Sequence, residues 1–256
     1  MLFRQLFDKE SSTYTYLIAD LQTHEAAIVD PVVENVDRDL KLIHELGLTL
    51  LFCLETHIHA DHITGTGEIR DRTGCKGLVP ENAHTNCASG FVKHGQVLKV
   101  GSVTIEAIET HGHTDSHMAY LVKGSSAAAS AEHRVLTGDA LLIRGCGRTD
   151  FQGGSAETLY DHITQRLFTL PDSTLVYPAH DYRGQTVSTI GEEKRWNPRF
   201  VDTDAATPSQ IRDSGSHRLR QRADFVQIMN NLNLPDPKKI MEAVPANEHC
   251  GKKSAA

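Results

Sequence analysis

Residues 56–62 read Thr-His-Ile-His-Ala-Asp-His, and the interpretation of the chain starts from this stretch. It follows the continuous apolar run Leu48–Leu54, which is typical of a strand buried on both faces. Open α/β sheets place their ligand sites at the carboxyl ends of strands. Neutral imidazole and carboxylate suit divalent zinc, iron, manganese or nickel, so the stretch predicts a metal site.

Other polar residues at strand ends extend this candidate site. His113, Asp139 and His180 each come shortly after a predicted strand and next to glycine or proline. The strands concerned are Val103–Ile108, Val135–Thr137 and Thr174–Tyr177. Each residue alone is more commonly part of an ordinary turn. Together with residues 56–62 they complete a ligand set, whereas His111 and His117 are interpreted as supporting or surface residues.

Composition limits the class of protein and its partners. The chain has 256 residues, 39% of them hydrophobic and 23% charged, as expected for a globular protein. The formal net charge is −7 and there is no basic stripe, which argues against a nucleic-acid partner. No apolar run approaches the ~20 residues of a membrane span. The N-terminus resembles neither a signal nor a transit peptide, so we expect a cytoplasmic location; a processed mitochondrial form would look the same.

The cysteines do not suggest a disulfide framework. Their number, five, is odd, and no two have Cys-x-x-Cys spacing. This usage favours free thiols in a reducing compartment. The positions are Cys53, Cys75, Cys87, Cys146 and Cys250.

Periodicity predicts strands and helices in both halves of the chain, which favours a layered α/β fold. Residues 124–131 are low in complexity and predict an exposed loop. The other predicted strands are Tyr14–Ile18, Ala26–Val29, Val97–Val100 and Met118–Val122. The predicted helices include Val36, Leu40 and Ile43 before Gly47, then Gly65–Arg72, a helix opened by Ser155, Glu192–Trp196 and Leu219–Leu232.

The motifs resemble the persulfide dioxygenase (sulfur dioxygenase) branch of the metallo-β-lactamase superfamily, which is related to glyoxalase II. The matching segments are residues 56–65, 137–152, 177–182, 197–199, 231–235 and 244–247. The resemblance implies an αββα sandwich, in which two mixed β-sheets are flanked by helices. It also implies a single domain over residues 1–256, with a short helical extension at about 205–256.

The same resemblance implies one Fe(II) ion per chain. The ligands, which are also the catalytic residues, would be His57, His113 and Asp139. Two histidines and one carboxylate leave open positions on iron for oxygen chemistry. Residues of a vestigial second metal site, or of a shell that orients the first ligands, would be His59, Asp61, His62 and His180. The residues that bind the substrate carboxylates would be Tyr182, Arg199 and Arg148.

The expected reaction oxidises the outer sulfur of glutathione persulfide with O₂ to sulfite and releases glutathione. The resemblance also implies a homodimer, and a sulfurtransferase of the rhodanese type would be a separate protein. One alternative is a dinuclear thioester hydrolase of the glyoxalase II type, which cleaves S-lactoylglutathione. A second is a non-catalytic scaffold. Cys146, in a Gly-Cys-Gly turn, either borders the pocket or simply fits the turn.

Overall fold

Two six-stranded β-sheets make up the centre of the structure, a computed structural model that describes residues 1–124, 133–202 and 218–252. The strands of the first sheet, in spatial order, are β1 (Leu2–Asp8), β2 (Thr13–Ala19), β3 (Glu25–Val29), β4 (Thr49–Leu54), β5 (Lys76–Pro80) and β6 (Gly90–Val92). Its first three strands are antiparallel and β3 to β6 are parallel. It is therefore a mixed sheet.

The second sheet is mixed as well. Its strands, in spatial order, are β12 (Ser188–Thr189), β11 (Leu175–Pro178), β10 (Arg134–Gly138), β9 (Met118–Lys123), β8 (Val103–Glu109) and β7 (Val97–Val100). Among its described strands, only β10 and β11 pair in parallel. Because β8 and β10 are both antiparallel to β9, the carboxyl ends of β8, β10 and β11 lie at one edge.

The two sheets share one core, in which Tyr16 and Ile18 of β2 join Ile105 of β8 and Tyr120 of β9. Helices cover the outer faces. They are α1 (Val36–Glu45), α2 (Thr66–Thr73), α3 (Ala156–His162), α4 (Ile190–Trp196), α5 (Arg222–Asn230) and α6 (Ile240–Glu248). A π-helical turn, Ile163–Leu167, continues α3. Helices α1 and α2 bury their apolar residues against the first sheet, and α3 to α5 bury theirs against the second.

The predicted elements are confirmed, with small shifts at their ends. Helix α2 ends at Gly74, whose φ of 76° is the left-handed conformation that glycine adopts most easily. The Ser155 side chain accepts from the Thr158 backbone N–H and caps α3, as expected. The sequence pattern does not predict β1, β5, β6 or β12, because each is short or lies at the edge of its sheet. Apart from Gly124, the loop 124–131 lies outside the described residues. Residues 203–217 and 253–256, which include parts of the extension proposed at about 205–256, lie outside them as well.

The expectation of five free thiols is wrong for two of the cysteines. Cys87, between β5 and β6, forms a disulfide with Cys250, which follows α6. Cys53, Cys75 and Cys146 are free. The two bonded residues are 163 positions apart, so only the tertiary structure brings them together.

Among the described residues, no helix has both the length and the apolar character that crossing a membrane requires.

Candidate metal centre

The candidate ligands converge at one edge of the sandwich because each follows the carboxyl end of a strand. Residues 57–62 follow β4 in the first sheet. His113, Asp139 and His180 follow β8, β10 and β11, whose carboxyl ends share an edge of the second sheet. The six histidines of these segments that face the centre, His57, His59, His62, His113, His117 and His180, are all at most 5% exposed. The structure thus assembles the predicted site from four separate chain segments.

His57, His113 and Asp139 form the first donor group. One ligand atom from each lies within 4.8 Å of the others, which is the spacing of ligands around a single ion. Burial and the neighbouring imidazoles hold the pKa of His57 well below 6.5, and burial also lowers the pKa of His113. Both rings are therefore neutral near pH 7, the form in which imidazole binds metals.

Hydrogen bonds orient both imidazoles of this group toward a common centre. The Thr56 hydroxyl donates to Asp30 Oδ2 at 2.9 Å, so it accepts from His57 Nδ1 at 3.0 Å. His113 Nδ1 donates to the Arg148 carbonyl at 2.7 Å. With each Nδ1–H engaged, each Nε2 carries a free lone pair, and His113 Nε2 lies 3.7 Å from Asp139 Oδ2. Partners of this kind fix the tautomer and direction of metal ligands.

His117 holds the third member of the group in place. Its Nε2 accepts from the Asp139 backbone N–H at 3.1 Å, and its Nδ1 bonds to the Thr110 hydroxyl at 2.8 Å. Gly138 has a φ of 52°, and a Cβ there would lie 2.5 Å from His117 Nε2. Since the ring leaves no space for a side chain, glycine is required before Asp139. Of the two interpretations given for His117, a supporting or a surface residue, the structure favours the first, because the ring is fully buried.

A second donor group lies beside the first. It consists of His59, Asp61, His62 and His180, with ligand atoms within 4.8 Å of one another. His180 bridges the two groups, because its Nδ1 donates to Asp139 at 2.6 Å and its Nε2 donates to Asp61 at 2.8 Å. Although burial opposes its protonation, these carboxylates raise the pKa of His180 well above 6.5. The same contacts hold the pKa of Asp139 at about 2 against the effect of burial.

Buried carboxylates beneath the site form a third cluster. His59 Nε2 lies 3.1 Å from Asp30 and 3.5 Å from Glu55. Burial disfavours the charged imidazole, but the two carboxylates outweigh it and raise the pKa of His59 to about 9. Burial raises the pKa of Glu55 to about 7. Its Oε1 accepts from the hydroxyls of Thr64 and Thr66, which ties the metal segment to the start of α2.

The three predicted substrate-binding residues have different environments. Tyr182 is 73% exposed and its ring stacks on His180 at a centroid distance of 6.1 Å. Burial raises the pKa of the Cys146 thiol to about 12, although the nearby charge of Arg199 lowers it in part. Arg148 forms two hydrogen bonds with the Asp150 carboxylate and one with the Pro235 carbonyl. Arg148 thus links two loops at the site.

Sequence reasoning missed the contribution of α6 to the site. Asn247, which is 4% exposed, makes hydrogen bonds to the backbone of His59, His62 and Thr64. Asp30 was missed as well. The only signal for Asn247 was its place in the matching segment 244–247, and Asp30 follows the predicted strand that became β3.

Comparison with known proteins agrees with this geometry. The sequence profile of the metallo-beta-lactamase superfamily matches residues 8–180. Two mixed sheets flanked by helices, with clustered histidines and aspartates at their edge, are the fold and site of that superfamily, to which the chain belongs. The expectation of an αββα sandwich is confirmed.

Relatives place the chain more narrowly. Mitochondrial persulfide dioxygenase ETHE1 of Mus musculus is 43% identical over 252 residues, which cover 98% of this chain and 89% of the relative. The crystal structure of ETHE1 from Myxococcus xanthus has a TM-score of 0.85 and 50% identity, and the match covers 98% of this chain and 100% of that one. Within the superfamily, the chain is a member of the persulfide dioxygenases and is an oxidoreductase.

A more distant relative belongs to the alternative class. A probable hydroxyacylglutathione hydrolase of Schizosaccharomyces pombe is 28% identical over 259 residues, with 90% of each chain covered. The hydrolase similarity is thus much weaker than the dioxygenase similarity.

Proposed function

We propose that this chain oxidises glutathione persulfide with O₂ and water to glutathione and sulfite, using one Fe(II) ion held by His57, His113 and Asp139. The observation that carries the proposal is the first donor group, whose three ligand atoms lie within 4.8 Å of one another. A group of two imidazoles and one carboxylate is the usual ligand set of non-haem iron oxygenases. Membership of the persulfide dioxygenase family supports the same chemistry.

The donor set fits such an ion on structural grounds. Both imidazoles have Nδ1 engaged by an acceptor, so each presents Nε2 as a neutral donor. Asp139 keeps Oδ2 on the side of His113 while its Oδ1 accepts from His180. When bound, iron supplies the redox chemistry toward dioxygen that zinc lacks.

The surrounding residues position the ligands and the substrate. His180 and His117 hold the Asp139 side chain and backbone, respectively. We propose that Tyr182 and Arg199 receive the glutathione moiety: Tyr182 stacks on His180, Arg199 lies near Cys146, and both side chains can bind carboxylates. A direct contact of Arg148 with substrate stays a prediction, since its guanidinium already binds Asp150.

We infer that the second donor group holds no resident metal ion. Both ring nitrogens of His180 are engaged by carboxylates, and the Thr13 hydroxyl lies 3.0 Å from His180, 3.3 Å from His62 and 3.3 Å from Asp61. A second ion would have to replace these hydrogen bonds. The four donors are nevertheless present, and this observation favours the alternative of a dinuclear thioester hydrolase.

Metal analysis combined with two assays separates these functions. We expect one iron per chain, and O₂ uptake with glutathione persulfide that is matched by sulfite formation. Asp139→Asn should lower kcat/KM by at least about 100-fold, because it removes an anionic ligand. The matched control is Asp37→Asn, whose side chain is 89% exposed and pairs with Arg72 at the surface. Two metal ions per chain and rapid hydrolysis of S-lactoylglutathione would replace this proposal with the hydrolase.

The remaining expectations concern assembly and location. A homodimer and a separate sulfurtransferase partner stay predictions, which light scattering and affinity capture can check. The mammalian relatives are named as mitochondrial proteins, and the cytoplasmic location expected for this chain also stays a prediction.

A further inference from the structure

The metal-binding loop, residues 57–63, has a second face that packs on the C-terminal helix. Its histidines face the donor groups, while Ile58 lies in an apolar cluster that includes Val244 of α6. Ile63 packs with Ala243 and Ala246 of the same helix. Helix α6 therefore forms the back wall of the loop that supplies ligands to both donor groups.

Asn247 connects this wall to the loop backbone. Its Nδ2 donates to the carbonyls of His59 at 2.9 Å and His62 at 2.8 Å, and its Oδ1 accepts from the Thr64 N–H at 2.8 Å. The Asn247 side chain thus supplies hydrogen-bond partners to two carbonyls and one N–H of the loop backbone. Buried groups of this kind are costly to leave unpaired, so the loop conformation depends on the position of α6.

Apart from the disulfide, the ends of α6 are held mainly by polar contacts. The Thr85 hydroxyl donates to the Glu248 carbonyl at 2.7 Å, and Lys239 and Lys252 form surface ion pairs, a kind of contact that contributes less than about 1 kcal/mol. The helix buries mainly alanines, Met241 is 89% exposed, and residues 231–239 before it contain no strand or helix. Directly after the helix, Cys250 is bonded to Cys87. The Cys250 carbonyl also accepts from the Gly67 N–H at 3.1 Å, where a Cβ would lie only 2.2 Å from that oxygen.

We propose that the Cys87–Cys250 disulfide is a thiol-sensitive latch that keeps Asn247 on the metal-binding loop and thereby controls how fast the site loses its metal. The bond closes 163 residues of chain, and a cross-link over so long a loop restricts the free chain strongly. Without it, α6 opens more often, and each opening removes the three hydrogen bonds of Asn247. This proposal depends on the proposed function in one respect only, namely that the loop binds a metal ion.

Opening the latch is a two-electron reduction by a small thiol such as glutathione. A glutathione thiolate attacks the partly exposed Cys87 sulfur, the protein S–S bond breaks, and a mixed disulfide forms while Cys250 leaves as a thiolate and takes up a proton. A second glutathione thiolate attacks the mixed disulfide. The products are two cysteine thiols and glutathione disulfide, so glutathione supplies both electrons and both protons.

The test compares metal release from the oxidised and reduced full-length chain. Iron-loaded protein is mixed anaerobically with the Fe(II) chelator ferrozine, before and after incubation with glutathione. A zinc-loaded sample with a zinc chelator is run in parallel, so the latch is tested even if the native metal is not iron. We expect release to become at least about tenfold faster on reduction, which corresponds to about 1.4 kcal/mol.

Variants assign the effect to the latch. Cys87→Ser should release metal rapidly with or without glutathione, and Asn247→Ala should do the same with its disulfide intact. Cys75→Ala, a buried free thiol, should keep the thiol dependence of the unmodified chain. Equal release rates from oxidised and reduced protein would overturn the proposal. If Cys87→Ser does not fold, hydrogen exchange at the Thr64 amide of the unmodified chain decides instead: exchange unchanged by glutathione also overturns it.

Discussion

Replacing Asp30 by asparagine tests whether the buried hydrogen-bond chain behind His57 prepares that ligand for metal. Asp30 is 1% exposed and accepts from the Thr56 N–H at 2.7 Å and the Thr56 hydroxyl at 2.9 Å. An asparagine has nearly the same shape but only one accepting oxygen. If the amide nitrogen faces the Thr56 hydroxyl, that hydroxyl must donate to His57 Nδ1 instead. The proton of His57 then moves to Nε2, where the metal should bind.

The size of the effect follows from the contacts that change. Hydrogen bonds to charged groups contribute about 1.5–3 kcal/mol each, and Asp30→Asn loses one and weakens the other. The charge facing His59 Nε2 at 3.1 Å is also removed. We expect the free energy of unfolding to fall by about 3 kcal/mol. Metal affinity should fall by about 10- to 100-fold, as is typical when a partner of a metal ligand is lost.

Urea unfolding of the metal-free chain measures the free energy of unfolding, and competition with a chelator measures the metal affinity. Asp37→Asn is the matched control: its carboxylate pairs with Arg72 at the surface, and such pairs contribute less than about 1 kcal/mol. If Asp30→Asn changes neither quantity more than this control does, the relay from Asp30 through Thr56 to His57 does not operate.

Three further predictions address other parts of the structure. Burial holds the pKa of His117 well below 6.5, so below that pH the unfolded chain binds more protons and acidification lowers the free energy of unfolding. In urea titrations between pH 7.5 and 5.5, His117→Gln should reduce the slope of the free energy of unfolding against pH by up to about 1.36 kcal/mol per pH unit. An unchanged slope contradicts the assignment. Gly138→Ala should lower the free energy of unfolding by about 1–3 kcal/mol and release metal, because φ is 52° and the new Cβ would clash with the His117 ring. A melting temperature equal to that of the unmodified chain refutes the clash. Phe225→Ala should lower the free energy of unfolding by about 3–5 kcal/mol in the same assay, because its fully buried ring packs on Phe200 with 4.9 Å between ring centroids. A loss below about 1 kcal/mol would show that α5 does not pack there.

In the C-terminal region the sequence predicts one helix, α5, and does not predict the next, α6. The helix Leu219–Leu232 was predicted from its apolar stripe, and α5 confirms it. Helix α6 contains Pro245 and few large apolar residues, so its pattern gave no signal. The Asn247 amide in this helix and Cys250 directly after it contact residues more than 160 positions earlier in the chain. Local periodicity carries no information on such contacts.

For this protein, the local chemistry of the sequence determined the ligand types, the strand ends that carry them and the family. Residues 56–62 combine a buried strand with a cluster of imidazoles, and both properties are visible in neighbouring letters. Only the tertiary structure decided which nitrogen each histidine presents, how His180 joins the two donor groups, and which cysteines pair. Those outcomes depend on atoms a few ångströms apart in space that belong to distant segments, and the packing of the two sheets and α6 sets those distances.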